Sequence, residues 1–442
     1  AAGPSASDAR TRDEKKPKQL SPAERRAKVV RAWYREHIDV AGRVLARELA
    51  KLEREKDALE AELPSALVME ELDEPRPTHV FVRGDYRQKG ERVDVDPPSV
   101  LPPMPADLPR NRLGLAKWLV SGEHPLTARV TVNRAWQQFF GHGLVRTPDD
   151  FGIRGAPPTH PALLDWLATE FVASGWDVKK LHRTIVLSAT YRQTRRADAA
   201  TLARDPDNEL LARGPHQRLS AEMIRDQALA VAGLLKQEVG GESVRPYQPP
   251  GLWKATLGGR DWRMDDGDDI YRRGLYVYWK RGVPYPSFVA FDAAKRETCS
   301  VRRTQTTTPL QALVTLNDPV YVEAGRHLGL RVLEKGGDDD AARLALGFRL
   351  VATRAPEPQE LEVLTALLAD LRTHYAADEK AAKLALAIDD EDKDEEREKD
   401  PGDRKAAAGR TKPEELAFVA ERAAWAQLGA TLLNLEAAIR RG

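Results

Sequence analysis

The chain has 442 residues, 31% of them charged, yet 69 Lys and Arg against 68 Asp and Glu leave a net charge of +1. That balance argues for neither a nucleic-acid binder nor a membrane-surface protein. A lone cysteine, Cys299, excludes an intrachain disulfide framework and any Cys-rich zinc or haem-attachment site in these residues, and no motif in them names a cofactor, which stays unknown.

The length has room for two or three domains, and no apolar run is long enough to span a bilayer. The chain opens AAGPSASDAR, without Met or an apolar signal core, and so reads as part of something longer with any targeting signal upstream. Residues 1–20 are polar and Pro-containing, a disordered lead-in. From Ser21 to about Leu63, apolar residues recur at three- and four-residue steps, and Ser21-Pro22 with Glu24 forms a capping box, so one long amphipathic helix is expected, ended by Pro64. Thr78–Val82 and the following RGDYRQKGERVDV predict a short hairpin, with Arg83-Gly84-Asp85 as its turn. Asp96–Pro109 is a Pro-rich strap, and Asn111 caps a helix over Arg112–Val120.

The richest stretch is Thr127–Gln193. Val132, Trp136 and Phe139 form an apolar stripe from Thr127 to Phe140, with Arg129, Asn133 and Gln137 as a polar one, and Gly141 stands at the helix end. The loop 141–161 is long but carries Leu144, Val145, Phe151 and Ile153 as anchors, which predicts an ordered, functional loop followed by two more helices. A helix is expected over Ser220–Gln237, closed by Gly240-Gly241. Arg273–Arg281 alternates Leu275, Val277 and Trp279 against Tyr276, Tyr278 and Lys280, which predicts the best strand in the chain. Thr308-Pro309 opens a helix whose apolar side is Leu310, Leu313, Val314 and Leu316; further helices follow over Pro319–Leu333, Asp340–Val351, Pro358–His374 and Pro413–Arg441. Residues 376–412, with the run DDEDKDEEREKD, read as a charged disordered insertion. The fold class is mainly α: a multi-helix globular domain with a small β-hairpin or strand element and long ordered Gly/Pro loops.

Several stretches carry a family likeness: HVFVRGDYRQKG, HPLTARVTVNRAWQQFFGHGLVRTPDDFG, PPTHPALLDWLATEFVASGW, RLSAEMIRDQALAVAG, YRRGLYVYWKR and FDAAKRETCSVRRTQTTTPLQALVTLNDP. The chain resembles a planctomycete-specific domain family of unknown function, found behind a cytochrome-c-like module and a second planctomycete domain in large exported proteins. Two features depart from the pattern: Thr307 stands where Asn is expected, and the 376–412 insertion is unusual. The resemblance implies a family domain over 77–440 and, over 21–76, the tail of the preceding domain. It implies an exported, periplasmic or cell-surface setting, with haem only in an upstream module. It supplies no reaction.

Three constellations are candidate sites. His142, Asp149, Asp150 and His160 offer imidazole and carboxylate for a general base and its partner, or for a metal, although the spacing fits no standard ligand pattern. The competing reading makes Asp149 or Asp150 a turn cap, His160-Pro161 a helix start and His142 the donor to a loop carbonyl. Arg296, Arg302 and Arg303 with Thr308 and Gln311 at a helix start form an anion site, against a purely structural role in tying the segment to acidic helices; the same cations make Cys299 a weak thiolate candidate. Tyr278, Lys280 and Arg281 belong to an aromatic and cationic set suited to sugar stacking, with nucleic acid disfavoured and a core role the competing reading. Asn133, Arg134 and the pair Arg225-Asp226 are expected in buried polar networks.

The preferred expectation is an exported domain that binds, and cleaves or oxidises, a polyanionic or sugar-like substrate such as a polysaccharide. His142 is the base, Asp149 or Asp150 its partner, and Arg302 and Arg303 the clamps. The alternative is a non-catalytic scaffold holding the cytochrome-c-like module.

Overall fold

The computed structural model describes residues 21–63, 66–254, 262–387 and 412–441. The expected lead-in over 1–20, Pro64 and the acidic run 389–400 lie outside them. By internal contacts the chain forms two units, residues 1–95 and 96–442.

The first unit holds α1 (Pro22–His37), α2 (Val40–Glu62) and a hairpin of β1 (Thr78–Phe81) and β2 (Lys89–Val93). Ser21 and Glu24 make the expected capping box, with the Ser21 N–H donating to Glu24 Oε2 at 2.7 Å. The single long helix is instead two, because Asp39 accepts the Gly42 N–H at 2.8 Å and so starts a new helix. Neither helix buries a residue. In the hairpin, Thr78 pairs with Val93. The Arg-Gly-Asp triplet is the turn: Arg83 has a left-handed φ of 54°, and Asp85 takes the Arg87 N–H at 3.0 Å.

The second unit opens on the strap, pinned where Trp118 Nε1 donates to Pro102 O at 3.0 Å and where Met104 is buried. Then come α3 (Arg112–Leu119), α4 (Thr127–Phe140), α5 (Pro161–Ala173), α6 (Val178–Leu187), α7 (Ala199–Arg204), β3 (Gln217–Arg218) and α8 (Ala221–Ala232). They are followed by α9 (Pro286–Ala290), α10 (Pro309–Asn317), α11 (Pro319–Lys335), α12 (Asp340–Ala352), α13 (Pro358–Ala377) and α14 (Glu379–Ala385). The chain closes with α15 (Lys412–Leu433), α16 (Glu436–Ile439) and β4 (Arg440–Arg441). The described fold is mainly α, as its periodicity predicts.

Two apolar cores form. Helices α4, α5 and α6 bury Val132, Trp136, Leu164, Phe171 and Ile185, and the loop anchors Leu144 and Val145 join them. The larger core centres on α15, with Trp425 and Leu428 wholly buried against Ala324 and Leu328 of α11 and Leu344 and Phe348 of α12. Glycine makes the α11–α15 crossing tight: a Cβ on Gly329 would stand 1.9 Å from the Trp425 carbonyl oxygen. The short pair β3–β4 bridges the seam, setting Arg218 opposite Arg440, while Gln217 Nε2 donates to Gln138 O of α4 at 2.7 Å.

Four expectations are corrected. Arg273–Arg281 is no strand; Gly274–Tyr276 is a 3-10 turn, and Val277 makes one isolated bridge with Val244. Among the described residues only Val244 pairs with the segment, its N–H donating to Tyr276 O and its O accepting the Tyr278 N–H, each at 2.8 Å. Asp226 of α8 accepts the Gly274 N–H, and Arg225 Nη1 donates to Arg272 O, just before the segment, at 2.7 Å. Helix α8 stops five residues before Gln237 because Gly233 takes a left-handed φ of 84°. Of the apolar side expected on α10 only Val314 packs on the core: Leu310 and Leu313 are 57% and 56% exposed, while Gln311 and Thr315 are 2% exposed and hydrogen-bonded. Residues 379–385, expected inside a disordered insertion, form α14 and bury Ala382.

Candidate functional site

The loop after α4 is built by Asn133. Its side chain is wholly buried; Nδ2 donates to Val145 O at 3.0 Å, and Oδ1 accepts the Val145 N–H at 2.8 Å. Thr159 N–H closes the loop on Leu144 O at 2.8 Å, and Thr147 Oγ1 binds the Asp150 carbonyl and the Ala156 N–H. His142 thereby lines a recess with Trp136 and Phe140, whose rings stack on each other at 4.1 Å.

A second loop supplies the opposite wall. The buried Asp205 carboxylate accepts the Glu209 and Leu210 N–H groups, each at 2.8 Å, which projects Asp207 and Glu209 toward Arg146. Arg146 pairs with Asp207 at 3.0 Å and with Glu209 at 3.4 Å. Partial burial holds His142 below the ordinary imidazole pKa, Arg146 and Arg302 push it further down, and Asp207 and Glu209 oppose them. The imidazole is therefore neutral at neutral pH. The Arg302 charge is felt at His142, but Arg302 is exposed and is not among the residues that line the recess.

The other named residues are dispersed. The carboxylates in His142's field are Asp207 and Glu209, and the expected partners Asp149 and Asp150 are turn residues: Asp149 is exposed, and Asp150 Oδ1 accepts the Gly152 N–H at 2.8 Å. His160 caps the start of α5, with Nδ1 3.1 Å from Thr159 Oγ1. Arg134 is exposed on the outer side of α4, so of the expected pair only Asn133 is in a buried network. Ile153, expected as an anchor, is fully exposed at the loop tip.

Arg303 is not a clamp beside Arg302, because it pairs with Glu222 of α8 at 2.7 Å. The start of α10 is already filled by the chain's own anion. Asp292 accepts the Thr306 N–H at 2.8 Å and Arg218 Nη2 at 2.6 Å, while Gln311 bonds Ala290 O at 3.0 Å and its Oε1 accepts the Thr308 N–H at 3.4 Å. Arg296 lies 4.4 Å over the Trp279 ring. The aromatic set is likewise occupied: Arg245 stands 5.1 Å over Tyr278 and Lys280 4.0 Å over Trp253, while Arg281 is exposed. Cys299 is exposed.

Sequence reasoning passed over Asp207 and Glu209. The run Asp205-Pro206-Asp207-Asn208-Glu209 reads as a turn, and its acidic density was the available signal.

A family profile described as PSD1, protein of unknown function (DUF1553), matches residues 111–368. The chain belongs to this DUF1553 family. No curated protein and no solved structure matches it. The DUF1553 match takes in His142, Arg146, Asp207, Glu209 and Arg302, so every residue of the recess argument lies inside the family region. Among the described residues of this DUF1553 chain, no three or more His, Cys, Asp or Glu side chains converge to hold a metal ion, and no helix is long and apolar enough to cross a membrane.

Proposed function

We propose that the protein binds an anionic carbohydrate or related polyanion at the His142 recess. One observation carries this reading: His142, whose pKa is held below the ordinary imidazole value, lines a recess together with Trp136, Phe140 and the Arg146 guanidinium. Stacked rings suit a sugar face, and guanidinium suits a carboxylate or sulfate. Asp207 and Glu209 hold Arg146, and the exposed Arg302, whose charge is felt at His142, is assigned in this reading as the cation that meets the ligand. A neutral imidazole accepts a proton, so the same geometry equips His142 as a general base, with Asp207 and Glu209 to stabilise its charged form. The family resemblance adds the setting, outside the cytoplasm and beside a cytochrome-c-like module.

Titration calorimetry with acidic and neutral oligosaccharides tests the reading. Acidic ligands bind, binding weakens with salt, and Arg302→Ala weakens it further. A broad acidic panel without binding contradicts it. A second reading, a non-catalytic interaction domain, draws support from the exposed Leu310, Leu313 and Leu316 stripe of α10. Wild-type function in a host strain carrying both His142→Ala and Arg302→Ala favours that alternative.

A further inference from the structure

Helix α2 carries an apolar stripe that the described chain leaves uncovered. Leu45, Leu52 and Leu59 recur at seven-residue steps, with Leu49 between the first two, and all four are 55–65% exposed. On an α-helix that spacing keeps the leucines on one line, the seam of a coiled coil. Both edges of the seam are acidic: Glu48, Glu55 and Glu62 run along one side, Glu53 and Glu60 along the other. Arg43, Arg47 and Arg54 stand on the opposite face of the helix. Lys51 and Lys56 each pair with the glutamate four residues on, Glu55 at 3.6 Å and Glu60 at 3.4 Å. Among the described residues Glu48, Glu53 and Glu62 pair with no cation. Helix α1 does not cover the seam, because only Ile38 and Asp39 separate the two helices and neither helix buries a residue.

We infer that α2 docks an amphipathic helix of the opposite charge pattern, one whose leucine stripe is edged by Lys or Arg. Two α2 helices would set glutamate against glutamate in either orientation, so pairing with α2 of a second copy is disfavoured. The same glutamates repel an anionic bilayer, the other surface on which an amphipathic helix settles. A basic-edged helix instead covers the leucines and meets each acidic edge with an opposite charge, the pairing that sets partner choice in coiled coils. Lys56 falls in the seam between Leu52 and Leu59, where a single polar residue fixes register, so the partner places an acceptor opposite it. The 23 residues of α2 supply three heptads, about 35 Å of seam. This docking uses no residue of the His142 recess and stands independently of it.

The test uses the intact chain and two synthetic three-heptad peptides with leucine at the seam positions, one edged by lysine and the other by glutamate. Calorimetry and circular dichroism follow binding. The lysine-edged peptide is expected to bind saturably, with a gain of helix and more weakly at high salt, while the glutamate-edged peptide does not bind. Leu52→Gln weakens binding by more than about tenfold. The helix itself survives that change, because Leu52 is exposed and Gln is nearly as good a helix former. Glu48→Lys, Glu53→Lys and Glu62→Lys together weaken the lysine-edged peptide by about tenfold and let the glutamate-edged one bind. Equal binding of the two peptides by the wild type overturns the inference, since it shows apolar adhesion alone. Self-association of the free chain in sedimentation that Leu52→Gln abolishes also overturns it, by giving the seam to a second copy. So does a lysine-edged peptide that fails to bind at submillimolar concentration, which shows that the chain itself covers α2.

Discussion

Replacing Asn133 with Ala isolates the one side chain that builds the loop under the recess. The substitution removes two hydrogen bonds, from Nδ2 to Val145 O at 3.0 Å and from Val145 N–H to Oδ1 at 2.8 Å. Val145 is 3% exposed, so its N–H and C=O have no ready access to water. At roughly 1–3 kcal/mol for each unsatisfied buried group, the loss for the two groups sums to about 2–6 kcal/mol. Because the chain has two units, a global unfolding midpoint is a blunt readout, and hydrogen exchange at the Val145 amide is the direct one. Exchange there is expected to accelerate by about thirty-fold to about twenty-thousand-fold, since each 1.4 kcal/mol is a factor of about ten. Asn133→Asp, which turns the Nδ2 donor into an acceptor facing Val145 O, is at least as damaging. Arg134→Ala, one residue on and exposed, shifts stability by less than about 0.5 kcal/mol. An Asn133→Ala variant with unchanged Val145 exchange refutes the claim that this amide shapes the loop.

Gly329→Ala puts a Cβ 1.9 Å from the Trp425 carbonyl oxygen and forces α11 off α15, so a loss of about 3 kcal/mol or more, or failure to fold, is expected in urea titration. Arg303→Ala leaves ligand affinity at the recess unchanged and costs at most about 1 kcal/mol, because its partly exposed pair with Glu222 is a surface bridge; a large affinity loss in calorimetry would show that Arg303 is a clamp after all. His142, His216 and His327 all have pKa values lowered first by burial, so their contribution to stability is full above the ordinary imidazole pKa of about 6.5 and is lost as pH falls through their lowered values. Unfolding midpoints measured across that window should drop toward acid, and a flat profile would contradict the stated burial.

Much of this architecture is legible in local chemistry. Ser21 with Glu24, Asn111 and the prolines of α5, α10, α11 and α13 mark helix starts where they occur, because caps are settled by near neighbours in the chain. The failures are tertiary. The 273–281 pattern alternates like a strand, yet Asp226 of α8 takes the Gly274 N–H and Arg225 fixes the carbonyl of Arg272 at its edge, and no pattern within the segment reveals that competition. On α10, Gln311 and Thr315 win the buried face because Ala290 O and Asn434 Oδ1 await them. At the site, His142 and Arg302 are visible as chemistry-bearing residues, and His142 lines the recess while Arg302 acts on it only through its charge. The acidic side was misassigned: Asp149 and Asp150 are near His142 in sequence, but Asp207 and Glu209 are near it in space, delivered by the buried Asp205.

The measurement closest to the central claim is the titration of the His142 resonance in isotope-labelled protein, free and with an acidic oligosaccharide. The free imidazole should titrate below the ordinary histidine value and move upward when the anionic ligand is bound, with the shift much reduced in Arg302→Ala. A His142 that titrates as an ordinary exposed histidine, and is indifferent to every acidic ligand, would remove the recess as the functional centre.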